Sequence, residues 1–231
     1  MSTPQGHESM PVGRTNISVG IIGMGDMGKM YTRRISSAGW RVNACDREEK
    51  YEDLKEEFAG RQDNVYIYPN GHLVSRTSDY IIYSVEAETV DKVVAQYGPC
   101  MPDCLLKNPL PSAGIIADGA PATKQGAIVG GQTSCKAPEI AAFEKHMPED
   151  VEIVSCHSLH GPNVAPEGQP LVLIKHRATQ ESFNLVERIL SCLGAKHVYL
   201  TADEHDRITA DTQAVTHAAF LRYVPKPNIR S

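Results

Sequence analysis

Three glycines and one aspartate carry the first chemical signal. Gly23, Gly25 and Gly28 stand in GxGxxG spacing at the end of the hydrophobic run "SVGIIG". In such a turn the first glycine permits a tight bend, the second lets backbone approach a pyrophosphate, and the third lets helix and strand pack closely. The helix that opens there offers unpaired N–H groups and a positive partial charge to phosphates. Asp46 ends the next hydrophobic run, about 20 residues on, where this fingerprint binds a ribose hydroxyl. These residues predict a dinucleotide site built from Gly23, Met24, Gly25, Asp26, Met27, Gly28, Asp46 and Arg47, with Ser84 and Val85 at the end of a later strand. Asp46 repels a 2′-phosphate and favours NAD, whereas Arg47 can pair with that phosphate and favours NADP; the two residues leave both open.

A nucleotide needs something to react with. In an open α/β sheet, ligands sit beyond the carboxyl ends of the strands. Two polar clusters fall at such ends, "GGQTSCK" and "HSLHGP", and a third, "TADTQAVTH", lies within the last helical stretch. His157, at a strand end before a Gly-Pro loop, has the residue type and position of a base, because imidazole titrates near neutrality. Ser134 is placed to hydrogen-bond a substrate hydroxyl or that imidazole. His160 reads as structural or pocket-lining, Lys136 as a surface charge, Asp211 and Gln213 as a solvated helix face, and His72, Ser75 and Arg76 as helix-surface or capping groups.

Strands and helices alternate from the start, the pattern of a parallel sheet with covering helices. "SVGIIG" reads as a buried strand and "MGKMYTRRISSAG" as a helix, with Met27, Met30, Ile35 and Ala38 toward the sheet and Gly39 as its stop. "WRVNACD", "NVYIYP" and "SDYIIYSVE" read as further strands, with a charged helix before the second of them. Val90, Val93, Val94 and Tyr97 then fall at i, i+3, i+4 and i+7, the inner stripe of a helix. Order lapses between Cys100 and Ala122, where prolines and glycines leave no periodicity. It returns at "GAIVGGQTS", a strand into a glycine turn, and runs through a helix, "VEIVSC", "PLVLIK", another helix and "KHVYL". Thr201 and Glu204 have capping-box spacing for a last helix beginning near Ala202.

The 231 residues allow one large domain with a proper core. A net charge of −5 gives no footprint for nucleic acid, and no apolar run approaches the roughly 20 residues of a membrane span. The six cysteines lack CxxC pairing and no export signal precedes them, so free thiols, no metal site and a cytoplasmic location are expected.

"VGIIGMGDMGKMY", "NGHLVSRTSDYIIYSVEA", "GAIVGGQTSCKAPEIAAFEKH", "HSLHGP", "EGQPLVLI" and "DEHDRITADTQAVTHAAF" follow one another in an order that resembles the prephenate dehydrogenases, the fungal branch in particular. The resemblance covers about Ile17 to Leu221 apart from Cys100 to Ala122. It implies a Rossmann-type, doubly wound, mostly parallel sheet and an NADP-linked oxidoreductase of tyrosine biosynthesis. The implied reaction is oxidative decarboxylation of prephenate to 4-hydroxyphenylpyruvate. The family's catalytic histidine occupies an H-x-x-x-G element, which here begins at His157. Its strand-end serine matches Ser134, and a histidine of its long helix matches His217, a substrate-side group.

The resemblance also implies a C-terminal all-helical dimerisation domain, which has no counterpart in the remaining sequence; a homodimer interface is therefore expected to be largely absent. The division that follows is a disordered lead at 1–16, a dinucleotide-binding domain at 17–200 interrupted by an irregular insertion at 100–122, the start of a departing helix at 201–221, and an aberrant tail at 222–231. Insertion and tail both begin at codons able to carry a fungal splice donor and read as translated introns. Weak cofactor binding and little turnover are the expectation for such a chain. The alternatives are a non-catalytic NAD(P)-binding module and a β-hydroxyacid dehydrogenase; the latter class uses a lysine base and has no place for "HSLHGP".

Overall fold

The computed structural model describes residues 17–61, 64–98 and 123–223, the stretch 213–223 as backbone only. The lead at 1–16, the insertion at 100–122 and most of the tail lie outside the described residues. The first half runs β1 (Ser18–Ile22), α1 (Asp26–Ser37), β2 (Arg41–Cys45), α2 (Tyr51–Glu57), β3 (Val65–Ile67), α3 (Gly71–Thr77), β4 (Tyr80–Tyr83) and α4 (Val90–Tyr97). The second half runs β5 (Ile128–Gly131), α5 (Lys136–His146), β6 (Glu152–Ser158), β7 (Pro170–Arg177), α6 (Gln180–Leu190), β8 (Lys196–Tyr199) and α7 (Ala202–Tyr223). The strands form one sheet in the order β3-β2-β1-β4-β5-β6-β7-β8. Every neighbouring pair is parallel except β6 and β7.

This is a doubly wound, Rossmann-type sheet. The order reverses direction between β1 and β4, and there the carboxyl ends of the strands open a crevice. Strand residues alternate between two cores because successive side chains point to opposite faces. Tyr80 and Ile82 join Val19, Ile21, Tyr31, Ile35, Val186 and Ile189 on one face. Ile81 and Tyr83 join Val74, Val90, Val94, Ile140 and Phe143 on the other. Each fully buried aliphatic chain such as Ile35 contributes about 1.5–3 kcal/mol relative to exposure. The stripe expected on α4 is present: Val90 and Val94 are buried, with Val93 and Tyr97 packed at its edge.

Several local expectations need correction. The buried face of α1 is Gly28, Tyr31, Thr32, Ile35 and Ser36; Ala38 is exposed, while Gly39 does end the helix at φ 90°. Ser75 is fully buried rather than at the surface. Gly130 and Gly131 are not a turn but the end of β5. A Cβ on Gly130 would stand 2.1 Å from the Val154 carbonyl oxygen, and one on Gly131 2.2 Å from Glu139 Oε2. β6 extends beyond Cys156 to Ser158, because His157 and Ser158 still pair with Val172 and Leu171. The Thr201 capping box forms as expected: Thr201 N–H donates to Glu204 Oε2 at 2.8 Å, and Glu204 N–H to Thr201 Oγ1 at 3.2 Å. No helix among the described residues is long and apolar enough to cross a membrane.

Candidate active site

The glycine turn is held from both sides. Gly23 lies at φ 100°, and a Cβ there would sit 2.3 Å from the Ser84 carbonyl oxygen. A Cβ on Gly28 would sit 2.1 Å from the Gly23 carbonyl oxygen, so this glycine is what lets α1 close on the turn. Around Gly25, by contrast, a Cβ meets nothing within 4 Å. No side chain caps the N-terminus of α1. Open space in front of an uncapped helix N-terminus is the form of a phosphate cradle, and the first-turn N–H groups are its donors.

The flanking residues divide into those that shape this cradle and those that face outward. Met24 is fully buried and does not line the cleft; its N–H donates to Asp46 Oδ2 at 2.8 Å. Arg47 N–H donates to Asp46 Oδ1 at 2.7 Å, and Lys50 Nζ lies 3.6 Å from Oδ2. Both carboxylate oxygens of Asp46 are therefore engaged within the chain, tying the end of β2 to the glycine turn. The Arg47 side chain is 76% exposed, with Nε 3.9 Å from Asp46 Oδ1.

A cleft of about 470 Å³ runs from the glycine turn across the ends of β4, β5 and β6. Gly25, Asp26 and Met27 line one side, Ser84 and Val85 the floor, and Ser134, His157 and His160 the far side. The structure thus brings the expected Ser134 and His157 onto one cleft with five of the ten expected cofactor residues, Gly25, Asp26, Met27, Ser84 and Val85; Gly23, Met24, Gly28, Asp46 and Arg47 do not line it. His217 lies on α7, but its side chain is outside the described residues, as is that of Gln213. His160 lines the cleft with Nδ1 donating to the Gly161 carbonyl at 2.9 Å.

His157 is half-buried, and its Nδ1 lies 2.7 Å from His205 Nε2. His205 is buried, with Nδ1 2.8 Å from Asp206 Oδ1. Asp206 also accepts the first N–H groups of α5, from Lys136 at 2.7 Å and Ala137 at 2.8 Å. The result is a chain from the α5 N-terminus through Asp206 and His205 to His157. Burial, reinforced by the Lys136 ammonium and His205 and opposed by Asp206, holds the His157 imidazole down at about 4. It is accordingly neutral at physiological pH and able to accept a hydrogen bond. Sequence reading missed His205 and Asp206; the adjacent His-Asp pair behind the capping box was their one visible signal.

Lys136 corrects the expectation of a surface charge. It is fully buried beneath His157 and forms an ion pair with Glu139 at 3.0 Å. Its ammonium also donates to Ser155 Oγ at 3.0 Å and to the Cys156 carbonyl at 2.7 Å. Glu139 in turn accepts from Thr133 N–H at 3.0 Å, Thr133 Oγ1 at 2.7 Å and the Ser155 hydroxyl. Nearby, Tyr31 OH and Ser158 Oγ pair at 2.7 Å, and burial pushes the Tyr31 phenol well above its usual range. Beneath the cleft the Cys156 thiol is raised to about 11 by burial, so it stays protonated.

Residues 18–147 match the family described as the NAD binding domain of 6-phosphogluconate dehydrogenase. The chain is 57% identical over 208 residues to a Schizosaccharomyces pombe protein named probable prephenate dehydrogenase [NADP(+)], covering 90% of this chain and 43% of that one. It is 54% identical over 204 residues to the Saccharomyces cerevisiae prephenate dehydrogenase [NADP(+)], covering 88% of this chain and 40% of the relative. The chain thus spans about two fifths of the length of these curated relatives. Among solved structures, Synechocystis arogenate dehydrogenase superposes with a TM-score of 0.64 at 15% identity, over 92% of this chain and 71% of that one, a likeness of fold.

Proposed function

The chain belongs to the dinucleotide-binding family described by the NAD binding domain of 6-phosphogluconate dehydrogenase, and from that membership we propose that it forms the NADP-binding part of a prephenate dehydrogenase. One observation carries the reading: in a chain 57% identical to a protein of that name, a neutral histidine faces the glycine turn across a single cleft. Residues 17–200 are the dinucleotide-binding unit, and α7 is the helix that leads away from it. A cytoplasmic setting is supported by the free, buried thiols of Cys45 and Cys156.

The residues fit the cofactor. Gly25 leaves room for a pyrophosphate and the α1 N-terminus supplies its donors. Asp46 is occupied by backbone N–H groups, while Arg47 is exposed beside it and Lys50 close by, an arrangement that suits a 2′-phosphate. When bound, NADP supplies the acceptor for the hydride that leaves the hydroxyl-bearing ring carbon of prephenate. His157 accepts a hydrogen bond from that hydroxyl and polarises it, and Ser134 orients the same group. As hydride leaves, the bond between ring and carboxylate breaks, carbon dioxide departs, and its electron pair completes the aromatic ring. The phenol oxygen keeps its hydrogen, so the histidine ends in the state in which it began. A lysine base, as in the β-hydroxyacid dehydrogenase reading, finds no support in Lys136, whose ammonium is sealed beneath the cleft.

Two sets of variants test the cofactor assignment by equilibrium titration of this chain with NADP⁺ and NAD⁺. Arg47→Ala is expected to weaken NADP⁺ by about tenfold, the worth of one exposed charge-assisted contact of about 1.4 kcal/mol, and to leave NAD⁺ nearly unchanged. Asp46→Ala is expected to weaken both, since it releases the Met24 N–H that shapes the turn. Equal effects of Arg47→Ala on the two nucleotides would remove the basis for NADP.

The glycines give a second contrast. Gly28→Ala forces a methyl group against backbone, and a loss of about 1–3 kcal/mol of stability is expected together with nucleotide binding. Gly25→Ala, at φ −69° and with free space around it, is expected to keep the stability and lose the binding. Thermal denaturation beside titration separates the two; an intact affinity in Gly25→Ala would displace the pyrophosphate from this turn.

A further inference from the structure

We infer that His205 and Asp206 are positioning residues that fix the tautomer of His157, leaving its Nε2 bare toward the cleft; the inference rests on the proposed reaction. Asp206, as a carboxylate, can only accept, so the hydrogen between it and His205 belongs to His205 Nδ1. A neutral His205 then presents a lone pair at Nε2. At 2.7 Å from that atom, His157 Nδ1 must be the donor. With its hydrogen on Nδ1, His157 holds its remaining lone pair on Nε2, the ring nitrogen without a hydrogen-bond partner among the described residues. The orientation of the whole chain is set at Asp206, whose two oxygens are held by separate backbone N–H groups at the start of α5.

The arrangement has a defined competitor. If His205 carried both hydrogens, its Nε2–H would donate to His157 Nδ1 and the His157 hydrogen would move to Nε2, facing the cleft as a donor. That state cannot accept a hydrogen bond from a substrate hydroxyl. The Lys136 ammonium already stands beneath His157 and acts against a second cation in the same buried region, while Asp206, the one carboxylate on His205, is also held by two backbone N–H groups of α5. The neutral chain is therefore the arrangement the surroundings favour. The logic is that of other orienting carboxylates behind a histidine base, where the wrong tautomer costs about 10⁴ in kcat.

The test needs neither substrate nor cofactor. In the chain labelled with ¹⁵N-histidine, long-range proton–nitrogen correlation at pH 7.5 is expected to show His157 protonated at Nδ1 and bare at Nε2, with His205 in the same tautomer. His205→Phe, which keeps a buried ring but removes the acceptor, is expected to release His157 into a mixture dominated by the Nε2–H form. Asp206→Asn is expected to loosen both rings without removing either. A His157 hydrogen on Nε2 in the unaltered chain would overturn the inference, and so would an unchanged His157 tautomer in a folded His205→Phe chain. If a substituted chain fails to fold, the tautomer of the unaltered chain alone decides. A chimera in which this chain replaces the matching part of the Schizosaccharomyces pombe relative adds the kinetic arm: His205→Phe is expected to lower kcat at least 100-fold with KM changed less than threefold, and an unchanged kcat would overturn the role. The Nδ1–H tautomer in a chimera that never oxidises prephenate would sink the proposed function and leave the positioning intact.

Discussion

His157→Asn, introduced into a chimera of this chain with the rest of its fission-yeast relative, is expected to lower kcat for NADP⁺-dependent prephenate oxidation by about 10²–10⁴-fold. NADP⁺ affinity is expected to stay within a factor of two, because His157 stands across the cleft from the glycine turn rather than in it. The substitution keeps a polar side chain of similar reach but removes the basic nitrogen. The pH dependence provides the sign. Burial and the Lys136 charge hold His157 down at about 4, so the accepting form persists as pH falls through neutrality. On kcat/KM the acid limb assigned to this group therefore lies near pH 4, where an ordinary histidine gives one near 6.5. A steady-state pH profile checks both statements, and an acid limb at 6.5 that disappears in the asparagine variant would contradict the burial argument while keeping the residue.

The second large effect falls on stability. Lys136→Met removes one member of an ion pair with no exposure on either side and leaves the Glu139 carboxylate to Thr133 and Ser155 alone. Stranding a buried charge costs about 3–5 kcal/mol, equivalent to a fall of roughly 6–20 °C in Tm for a chain of this size. Replacing both partners, as Lys136→Met with Glu139→Leu, is expected to recover most of that loss, since the desolvation cost of both ions is then avoided. Denaturant titration of the four chains forms the cycle. Losses that simply add would mean that the two charges do not depend on each other. Lys136→Met is also expected to raise the His157 titration, because the ammonium is the largest charge acting against its protonation.

These two residues mark what the sequence made legible and what it did not. The glycine turn was readable because its constraints are local: Gly23 needs positive φ, and Gly28 must lack a Cβ against the Gly23 carbonyl. His157 was readable as a strand-end histidine, and the cleft places it opposite that turn. Asp46 was readable in position but not in engagement. Its carboxylate turned out to be taken by Met24 and Arg47 backbone, which shifts the nucleotide argument to Arg47.

Lys136 was misread because a lysine after a polar turn has every local mark of the surface. Its burial depends on Glu139 one helical turn later, for which Gly131 at the end of β5 leaves room. His205 was missed for a related reason. The capping box around Thr201 is a local pattern, but the histidine just inside it gains its partner from a strand 48 residues earlier in the chain. Only the packing of α7 against α5 brings them together. The antiparallel direction of β7 was equally invisible, since a short apolar run gives no sign of which way its neighbour points.

On the proposed function, hydride leaves prephenate in this cleft with His157 holding the hydroxyl. Prephenate deuterated at the hydroxyl-bearing ring carbon, incubated with NADP⁺ and the chimera, tests it directly by proton NMR of the recovered nucleotide. The expected result is one deuterium at C4 of the reduced nicotinamide, with equal amounts of carbon dioxide and 4-hydroxyphenylpyruvate, and a rate reduced at least 100-fold by His157→Asn. Deuterium that stays out of the nicotinamide, or transfer at the same rate without the imidazole, would contradict it.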